Sequence, residues 1–274
     1  MSERVSKALT AAATRLSRNS GTPRLDAELL MAHALGASRD ELLLSRLEDA
    51  APATFEALIA RRAAGEPVAY IIGVRDFWTV SLAVRPSVLI PRPDSETLID
   101  GAVRHFGETA PETILDLGTG SGALLLAALD IWPGATGLGV DRSADALAVA
   151  VENAERLGMA ARARFAIGDW GEGIEGPFDL ILCNPPYVEN GADLPRDVAA
   201  HEPASALFAG EDGLDAYRAL APQTGRLIAP GGIALFEIGA SQAALVRALF
   251  AGAGLESAVF RDLAGHDRCV AVKR

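Results

Sequence analysis

The feature that most constrains the fold is a short apolar strand that runs into three closely spaced glycines and then into a helix. The strand covers residues 114–117, the glycines are Gly118, Gly120 and Gly122, and the helical pattern covers residues 124–129. Glycine lets a backbone turn tightly and approach a ligand, and the first turn of the helix presents free N–H groups. This unit predicts an open α/β sheet that binds a nucleotide-like ligand at its carboxyl edge.

The rest of the second half repeats this alternation of strands and helices, which predicts a mostly parallel sheet covered by helices on both faces. The last two strand patterns are joined by a short connection and predict an antiparallel hairpin. The predicted strands are residues 114–117, 135–140, 163–167, 178–183, 232–238, 257–262 and 268–273, and one of the helices between them covers residues 144–157.

The first 65 residues are predicted to be helical. Apolar residues recur at intervals of three and four along residues 5–16, and a second helix is predicted over residues 26–35. Ser38 and Glu41 form a capping box, which marks the start of a third helix. Pro52 is predicted to open a fourth helix that ends near Gly65.

The pattern changes after residue 65 to short apolar runs that predict a hairpin. Its strands are predicted at residues 70–73, 77–80 and 82–84, with Phe77 and Trp78 in the hairpin core. A stiff connector, residues 90–94, then leads into a helix over residues 96–106. We predict three regions: a helical domain (1–75), a hairpin linker (76–92) and the α/β domain (93–274).

Asp141 follows the second strand, 23 residues after Gly118. A carboxylate at this place can accept hydrogen bonds from ribose hydroxyls, and it can also cap the helix that begins after Ser143. The glycine loop and Asp141 suit NAD and S-adenosylmethionine equally well. This part of the sequence therefore leaves the cofactor open.

A second motif, Asn184-Pro185-Pro186-Tyr187, follows a buried strand and favours the methyl donor. Asn184 has a carbonyl acceptor, and the prolines hold backbone carbonyls in place without donating. Tyr187 offers a flat apolar wall. Such a pocket can accept both hydrogens of an –NH2 group and leave its nitrogen facing a methyl donor, whereas a hydride transferase has no use for it.

Charge and cysteine content exclude several classes. The formal net charge is −11, and residues 76–274 account for −12 of it. This acidity argues against tight binding of duplex nucleic acid, which needs basic side chains. The two cysteines, Cys183 and Cys269, form no metal-binding pattern, so we expect no metal and a reducing, cytoplasmic location. No apolar run reaches the length of a membrane span, so we expect no membrane association.

These motifs together resemble the peptide chain release factor N5-glutamine methyltransferase family (PrmC/HemK). The resemblance is carried by the glycine loop and Asn184–Tyr187 together with runs at residues 66–70, 73–78, 89–94 and 168–170, and it extends to Glu202-Pro203 and the C-terminal hairpin. One departure is His201, which stands where the family usually has an aromatic residue and is left without a role.

The resemblance implies a seven-stranded Rossmann-like methyltransferase domain with a helical N-terminal domain for substrate recognition and a hairpin linker. The implied acceptor is the glutamine of the Gly-Gly-Gln motif in translation release factors, the implied donor is S-adenosylmethionine, and S-adenosylhomocysteine is the product. We expect a monomer that acts on these protein partners. The predicted cofactor-binding residues are Gly118, Thr119, Gly120, Ser121, Gly122, Asp141, Asp169, Trp170 and Asn184. The predicted catalytic and substrate-binding residues are Asn184, Pro185, Pro186, Tyr187 and Arg92.

Alternatives remain at several residues. Asp116 can brace the glycine loop or contact the donor's amino group, and Arg92 can face the partner or pair with a local carboxylate. Cys183 is predicted to be a small buried residue. Three rival hypotheses remain for the function. The protein could be a DNA amino-methyltransferase, an NAD-dependent oxidoreductase, or a catalytically silent protein that binds release factors.

Overall fold

The computed structural model describes residues 3–274 and divides the chain into two compact units. The first contains the residues up to Val74 together with Leu194–His201. The second contains Arg75–Asp193 and Glu202–Arg274. Among the described residues, no helix is both long enough and apolar enough to cross a membrane.

The first unit is a helical bundle with its own apolar core. Ser38 caps the third helix by accepting from the backbone N–H of Glu41, so the predicted capping interaction is confirmed. The fourth helix begins at Phe55 and not at Pro52. Its helices are α1 (Val5–Leu16), α2 (Pro23–Leu35), α3 (Arg39–Ser45), α4 (Phe55–Ala63) and α5 (Val68–Ile72), and the segment from residue 194 adds the helix Arg196–His201 (α9 in chain order).

The strand predicted at residues 70–73 is wrong, because these residues belong to α5 and its cap. Pro67 precedes the helix, and the N–H groups of Tyr70 and Ile71 donate to its carbonyl. Gly73 ends the helix with a left-handed φ of 79°, which glycine adopts without strain. A short apolar run does not distinguish a strand from a buried helical turn by its periodicity.

The hairpin is shorter than predicted and consists of β1 (Val74–Phe77) and β2 (Val80–Ala83). Phe77 is buried in the core, as predicted. The prediction for Trp78 is wrong, because Trp78 stands in the turn with φ 52° and is 38% exposed. Its backbone N–H donates to Glu96, so the turn is held by a hydrogen bond to the following helix.

The second unit contains the predicted seven-stranded sheet, in the order β5-β4-β3-β6-β7-β9-β8. The first five strands in this order are parallel, and β9 and β8 are antiparallel, which confirms the terminal hairpin. Its strands are β3 (Thr113–Leu117), β4 (Thr136–Asp141), β5 (Ala163–Ile167), β6 (Phe178–Cys183), β7 (Ile228–Glu237), β8 (Glu256–Arg261) and β9 (Asp267–Lys273). Its helices are α6 (Glu96–Phe106), α7 (Ala123–Ile131), α8 (Ala144–Arg156), α10 (Asp215–Leu227) and α11 (Ala243–Gly252).

The two faces of the sheet are buried in separate apolar cores. On β6, Leu180 and Leu182 face the core that α6, α7 and α8 cover, whereas Ile181 and Cys183 face the core of α10 and α11. This alternation follows from the two-residue period of a strand. Because both faces are apolar, β6 reads as a continuous hydrophobic run, which is typical of a parallel strand in the middle of a sheet.

Candidate functional site

The candidate site lies where the strand order reverses. The first strand of the sheet in chain order, β3, lies between β4 and β6, so the connections from it diverge and leave a crevice at the carboxyl edge. Leu117 at the end of β3 pairs with Cys183 at the end of β6. The glycine loop and Asn184 therefore leave the sheet side by side. Both line a cavity of about 600 Å³ in the second unit.

The glycine loop is held against the end of β4. The N–H groups of Gly118 and Thr119 both donate to the carbonyl of Val140, at 2.8 and 3.0 Å. Gly120 has φ 55°, and a Cβ atom added to it meets no atom within 4 Å. Since Gly120 lines the cavity, its bare backbone forms part of the cavity wall and allows a ligand to approach closely.

Asp116 braces this loop from inside the sheet. It is 1% exposed, and its Oδ2 accepts from the hydroxyl of Thr119 at 2.6 Å and from the N–H of Leu125 at 3.3 Å. Burial raises the pKa of Asp116 to about 7, against the effect of these two hydrogen bonds. These contacts support the interpretation that Asp116 braces the glycine loop over the alternative that it contacts the amino group of the donor.

Asp141 joins the loop to the following helix. Its Oδ2 accepts from the N–H of Gly120 and its Oδ1 from the N–H of Ser143, both at 2.9 Å. Ser143 is itself the cap of α8 and accepts from Ala146. A carboxylate has about four acceptor positions, so two remain for a ligand. Asp141 lines the cavity, and its orientation is fixed by the two backbone bonds.

Asp169 and Trp170 follow β5 and line the same cavity. Trp170 has a left-handed φ of 52°, and its ring lies beside Gly118, where an added Cβ atom would be 3.3 Å from the ring. Glycine at position 118 therefore leaves room for the indole. This arrangement provides a flat apolar surface and an exposed carboxylate next to the loop.

The motif Asn184–Tyr187, which we call the clamp because it is predicted to hold an –NH2 group, is only partly exposed to the cavity. Asn184 and Pro186 are among the lining residues, and Nδ2 of Asn184 donates to the hydroxyl of Ser95 at 2.9 Å. Tyr187 packs against the core, and its hydroxyl donates to Glu237 at 3.2 Å. Pro185 is buried and, like Tyr187, is not among the residues that line the cavity.

The other predicted residues occupy structural positions. Arg92 forms an ion pair with the buried Glu202, whose second oxygen accepts from the N–H of Ile90, so the local pairing considered for Arg92 is observed. Ser121 is 3% exposed, and its carbonyl accepts from Asn153. Gly122 caps α7 and packs against Leu126, with no part in the cavity lining.

His201 and Cys183 have simple environments. His201 lies in the first unit near Glu66, whose pKa is lowered chiefly by its hydrogen bond with Arg61. Cys183 is fully buried, as predicted, and burial raises the pKa of its thiol. A buried, protonated thiol is a poor nucleophile, so the structure assigns no reactive role to Cys183.

Three residues at the site were not predicted from the sequence. Ser95 and Glu237 contact the clamp residues, and the buried Asn153 joins Ala83 of the hairpin to Ser121 of the loop. The only local signal for Ser95 and Glu237 is a polar residue at the start of a helix or the end of a strand, and Asn153, which lies inside α8, lacks such a signal. Their partners lie more than 30 residues away in the chain, so local patterns do not reveal these contacts.

The polar and flat groups that line the cavity suit a nucleoside. Asp141 has acceptor positions for ribose hydroxyls, Trp170 gives a flat surface for a base, and the bare backbone at Gly120 leaves space beside both. The size of the cavity falls within the usual range for small-molecule sites, about 300–1,000 Å³. The residues present therefore fit S-adenosylmethionine.

Comparisons with known proteins give family matches for both units. Residues 7–73 match the PrmC N-terminal domain, and residues 108–249 match a methyltransferase domain. A solved ribosomal protein L11 methylase from Lactobacillus delbrueckii subsp. bulgaricus is 21% identical with a TM-score of 0.51, covering 67% of this chain and 80% of that chain. This structural likeness supports the fold alone.

Curated relatives match over most of the chain. A release factor glutamine methyltransferase from Rhodospirillum rubrum is 45% identical, covering 92% of this chain and 79% of the relative. One from Caulobacter vibrioides is 43% identical, covering 96% of this chain and 94% of the relative.

The methyltransferase match includes the glycine loop, Asp141 and Asn184, so this part of the chain is a methyltransferase domain. The curated relatives identify the particular family of methyltransferases, because their similarity to this chain extends through both units at 43–45% identity. The chain belongs to the family of release factor glutamine methyltransferases.

Proposed function

We propose that this protein transfers a methyl group from S-adenosylmethionine to the side-chain amide nitrogen, N5, of the glutamine in the Gly-Gly-Gln motif of translation release factors. The observation that carries the proposal is the position of Asn184 beside the glycine loop in one cavity, at the ends of paired strands. The family of relatives supports the acceptor, since their names state glutamine and release factor.

The cofactor is assigned to the side of the cavity formed by the glycine loop, Asp141, Asp169 and Trp170. Asp141 would accept hydrogen bonds from the ribose hydroxyls, Asp169 would accept from the adenine amino group, and Trp170 would flank the ring. When bound, S-adenosylmethionine supplies a methyl group on a positively charged sulfur and is converted to S-adenosylhomocysteine. The two backbone bonds to Asp141 hold its carboxylate ready for the ribose.

The acceptor side has to overcome the poor nucleophilicity of an amide. The nitrogen lone pair of a carboxamide is delocalised into its carbonyl, as in the peptide bond. Oδ1 of Asn184, which lines the cavity, is the proposed acceptor of one N–H hydrogen of the glutamine and favours the positive charge that develops on its nitrogen. The carbonyl of Pro185 remains the proposed second acceptor, although Pro185 is buried and does not line the cavity. Tyr187 remains the proposed flat wall that packs against the amide and excludes water, although its ring packs against the core and does not line the cavity. We assign no general base, and the proton leaves to water.

The helical N-terminal unit is the proposed recognition domain for the release factor. It matches the PrmC N-terminal domain over residues 7–73, and residues 1–75 carry a formal charge of +1, in contrast to the acidic remainder. We propose a cytoplasmic monomer that binds release factors without binding nucleic acid directly. Arg92 remains a proposed substrate contact, although Glu202 already binds its guanidinium group.

Mass spectrometry of a purified release factor tests this function. The release factor is incubated with the protein and S-adenosylmethionine, and its intact mass and its peptides are measured. A gain of one methyl group on the glutamine of Gly-Gly-Gln is the expected result. A release factor in which this glutamine is replaced by glutamate is the matched control, because its side chain lacks the acceptor nitrogen.

Absence of the methyl group, with binding of S-adenosylmethionine confirmed, would contradict the proposed acceptor. The amino groups of nucleic acids would then be the next acceptors to test, since a flipped base presents the same –NH2 group to the clamp. Binding of the release factor without methyl transfer would instead support the hypothesis of a catalytically silent binding protein. A titration with NADH, followed by absorbance or fluorescence, tests the hypothesis of an NAD-dependent oxidoreductase.

A further inference from the structure

Gln242, which caps the start of α11, binds the last residue of the clamp through its side-chain amide. Its Nε2 donates to the carbonyl of Tyr187 at 3.0 Å and to the carbonyl of Gly213 at 3.3 Å. Its Oε1 accepts from the backbone N–H of Gly239 at 2.9 Å. The nitrogen faces two carbonyls and the oxygen faces an N–H group, so these neighbours determine which way the amide points.

The amide of Gln242 is buried, and its two protons and its oxygen all have partners. Gln242 is 8% exposed. The three bonds join the end of the clamp to two other segments, the loop before α10 and the loop after β7. Loss of the amide would deprive two backbone carbonyls of a donor at a buried place, which is unfavourable.

The same contact depends on glycine at position 213. Gly213 has a left-handed φ of 69°, and a Cβ atom added to it would lie 2.4 Å from the carbonyl oxygen of Tyr187 and 2.8 Å from Nε2 of Gln242. A Cβ atom cannot be accommodated at these distances. A residue without a side chain therefore allows the carbonyls of Tyr187 and Gly213 to converge on one amide nitrogen.

The chain beyond Tyr187 pairs with residues 207–209. The N–H of Val188 donates to the carbonyl of Leu207, and the N–H of Ala209 donates to the carbonyl of Val188, both at 2.9 Å. Residues 207–213 are therefore tied to the clamp and its extension at both ends, by Val188 at one end and through Gln242 at the other.

This tied segment forms part of the wall of the cavity. It lines the cavity together with Asn184 and Pro186 of the clamp. Its lining residues are Phe208, Ala209 and Gly210. The position of this wall relative to Asn184 thus depends on the bonds that Gln242 makes.

We propose that Gln242 is a positioning residue for methyl transfer, which holds Asn184 and the cavity wall at residues 208–210 in one arrangement around the acceptor amide. This inference rests on the proposed function. Gln242 is not among the described residues that line the cavity. It acts through the backbone of Tyr187 and Gly213, and not by contact with the acceptor.

Gln242→Met tests the hydrogen bonds, because methionine has a similar length but donates none. We expect kcat for release factor methylation to fall about 10- to 100-fold, since a misplacement of about 1 Å in an oriented site can cost on the order of 10²-fold. The Kd of S-adenosylmethionine should stay unchanged, because the glycine loop and Asp141 have no bond to Gln242. Gln223→Met is the matched control, since the amide of Gln223 donates to Ala219 within α10.

Gly213→Ala tests the same contact from its other side. The added Cβ atom would displace the carbonyl of Tyr187, so kcat should fall while the Kd of S-adenosylmethionine stays unchanged. Gly191→Ala is the control. Gly191 also has a left-handed φ, 83°, but a Cβ atom added to it meets no atom within 4 Å. The two variants share the backbone strain of alanine at a positive φ, and only Gly213→Ala adds the overlap with Tyr187.

Hydrogen exchange followed by mass spectrometry measures the positioning without a methyl acceptor. We expect faster exchange in Gln242→Met and Gly213→Ala within residues 187–190 and 207–214, and wild-type exchange within residues 113–141, which carry the glycine loop. Both controls should match the wild type in residues 207–214. A wild-type protein that fails to methylate release factors but shows this local change would refute the proposed function and keep the positioning of the clamp.

Three results would overturn the positioning role. One is a wild-type kcat in Gln242→Met or in Gly213→Ala. Another is a Kd of S-adenosylmethionine that rises as much as kcat falls, which would show a general loss of the cavity. The third is exchange that is unchanged in residues 207–214, or that increases equally throughout the second unit. Each would leave Gln242 as a residue that stabilises the fold alone.

Discussion

The carboxylate of Asp141 accepts a hydrogen bond from the backbone N–H of Gly120 at 2.9 Å. This bond joins the end of β4 to the middle of the glycine loop, the two segments assigned to the cofactor. The second oxygen of Asp141 is bound to the N–H of Ser143 at the same distance. Asp141 is therefore a structural brace as well as a proposed ligand of the ribose.

The first prediction concerns Asp141→Ala. The substitution removes the acceptor of the ribose hydroxyls and the brace on Gly120, so the Kd of S-adenosylmethionine should rise. Hydrogen bonds to a charged group are worth about 1.5–3 kcal/mol, which corresponds to roughly 10- to 150-fold in Kd. Isothermal titration calorimetry measures this. Glu155→Ala, which removes an exposed carboxylate from α8, should leave the Kd unchanged. An unchanged Kd in Asp141→Ala would refute the ribose assignment.

The second prediction concerns Asn184→Ala. Loss of the Oδ1 acceptor should lower kcat by on the order of 10²-fold or more, as expected for one lost transition-state hydrogen bond. The Kd of S-adenosylmethionine should change far less than in Asp141→Ala. Single-turnover methylation of a release factor measures the effect. Asn190→Ala, at an exposed asparagine in the same connection, is the matched control. A near-normal kcat in Asn184→Ala would refute the clamp.

The sheet was predictable from the sequence because its signal is local. Each of the five parallel strands is a short apolar run that leads into glycine, aspartate or asparagine, and β5 and β6 have the bounds that their patterns predict. The glycine loop, Asp141 and Asn184 each follow the end of a parallel strand. Because parallel strands end at the same edge of a sheet, their position at a common edge could be predicted from strand direction alone. A pattern that repeats along seven strands is more reliable than any one strand within it.

The wrong predictions concern short segments whose conformation depends on contacts with distant parts of the chain. Residues 70–73 are apolar enough for a strand, but they follow Pro67 and pack Ile71 into a helical core. Trp78 follows the buried Phe77, yet it stands in the turn and faces solvent. The bond between Ser95 and Asn184 spans 89 positions of the chain, and no local pattern encodes it.

The third prediction is a pH dependence that arises from Asp116. Its pKa is raised from about 3.8 to about 7 in the folded protein, chiefly by burial, with the charge of Asp141 adding to the rise. The folded state therefore binds the proton more tightly than the unfolded state does. The stability from this proton is fully present below about pH 4 and is lost as the pH rises through about 7.

Asp116→Asn removes this titration. Between about pH 4 and pH 7, the free energy of unfolding of the wild type should fall relative to that of the variant, and the difference should level off at higher pH. Urea denaturation at a series of pH values measures both proteins. Asp193→Asn, at an exposed carboxylate, should follow the wild type throughout. A constant difference between Asp116→Asn and the wild type would contradict the raised pKa.

The fourth prediction compares two adjacent arginines of α4. Arg62 is 6% exposed and donates to Asp26, also 6% exposed, at 2.7 Å. Arg61 pairs with Glu66, and its side chain is 46% exposed. Arg62→Ala leaves a buried carboxylate without its ion-pair partner, so we expect the free energy of unfolding of the first unit to fall by about 3–5 kcal/mol. Arg61→Ala should cost less than about 1 kcal/mol, since water replaces an exposed pair.

Urea denaturation followed by a probe in the first unit distinguishes the two arginines. Both substitutions remove one positive charge and a side chain of the same length from the same helix, so a difference between them reports the burial of Arg62 together with its further contacts to the carbonyl of Glu66 and to Asp197. The hydroxyls of Ser20 and Thr22 also donate to Asp26, at 2.8 and 3.0 Å, and reduce the loss toward the lower end of the range. Equal destabilisation by the two variants would show that water reaches Asp26 and that its pairing with Arg62 adds little to the stability of the helical unit.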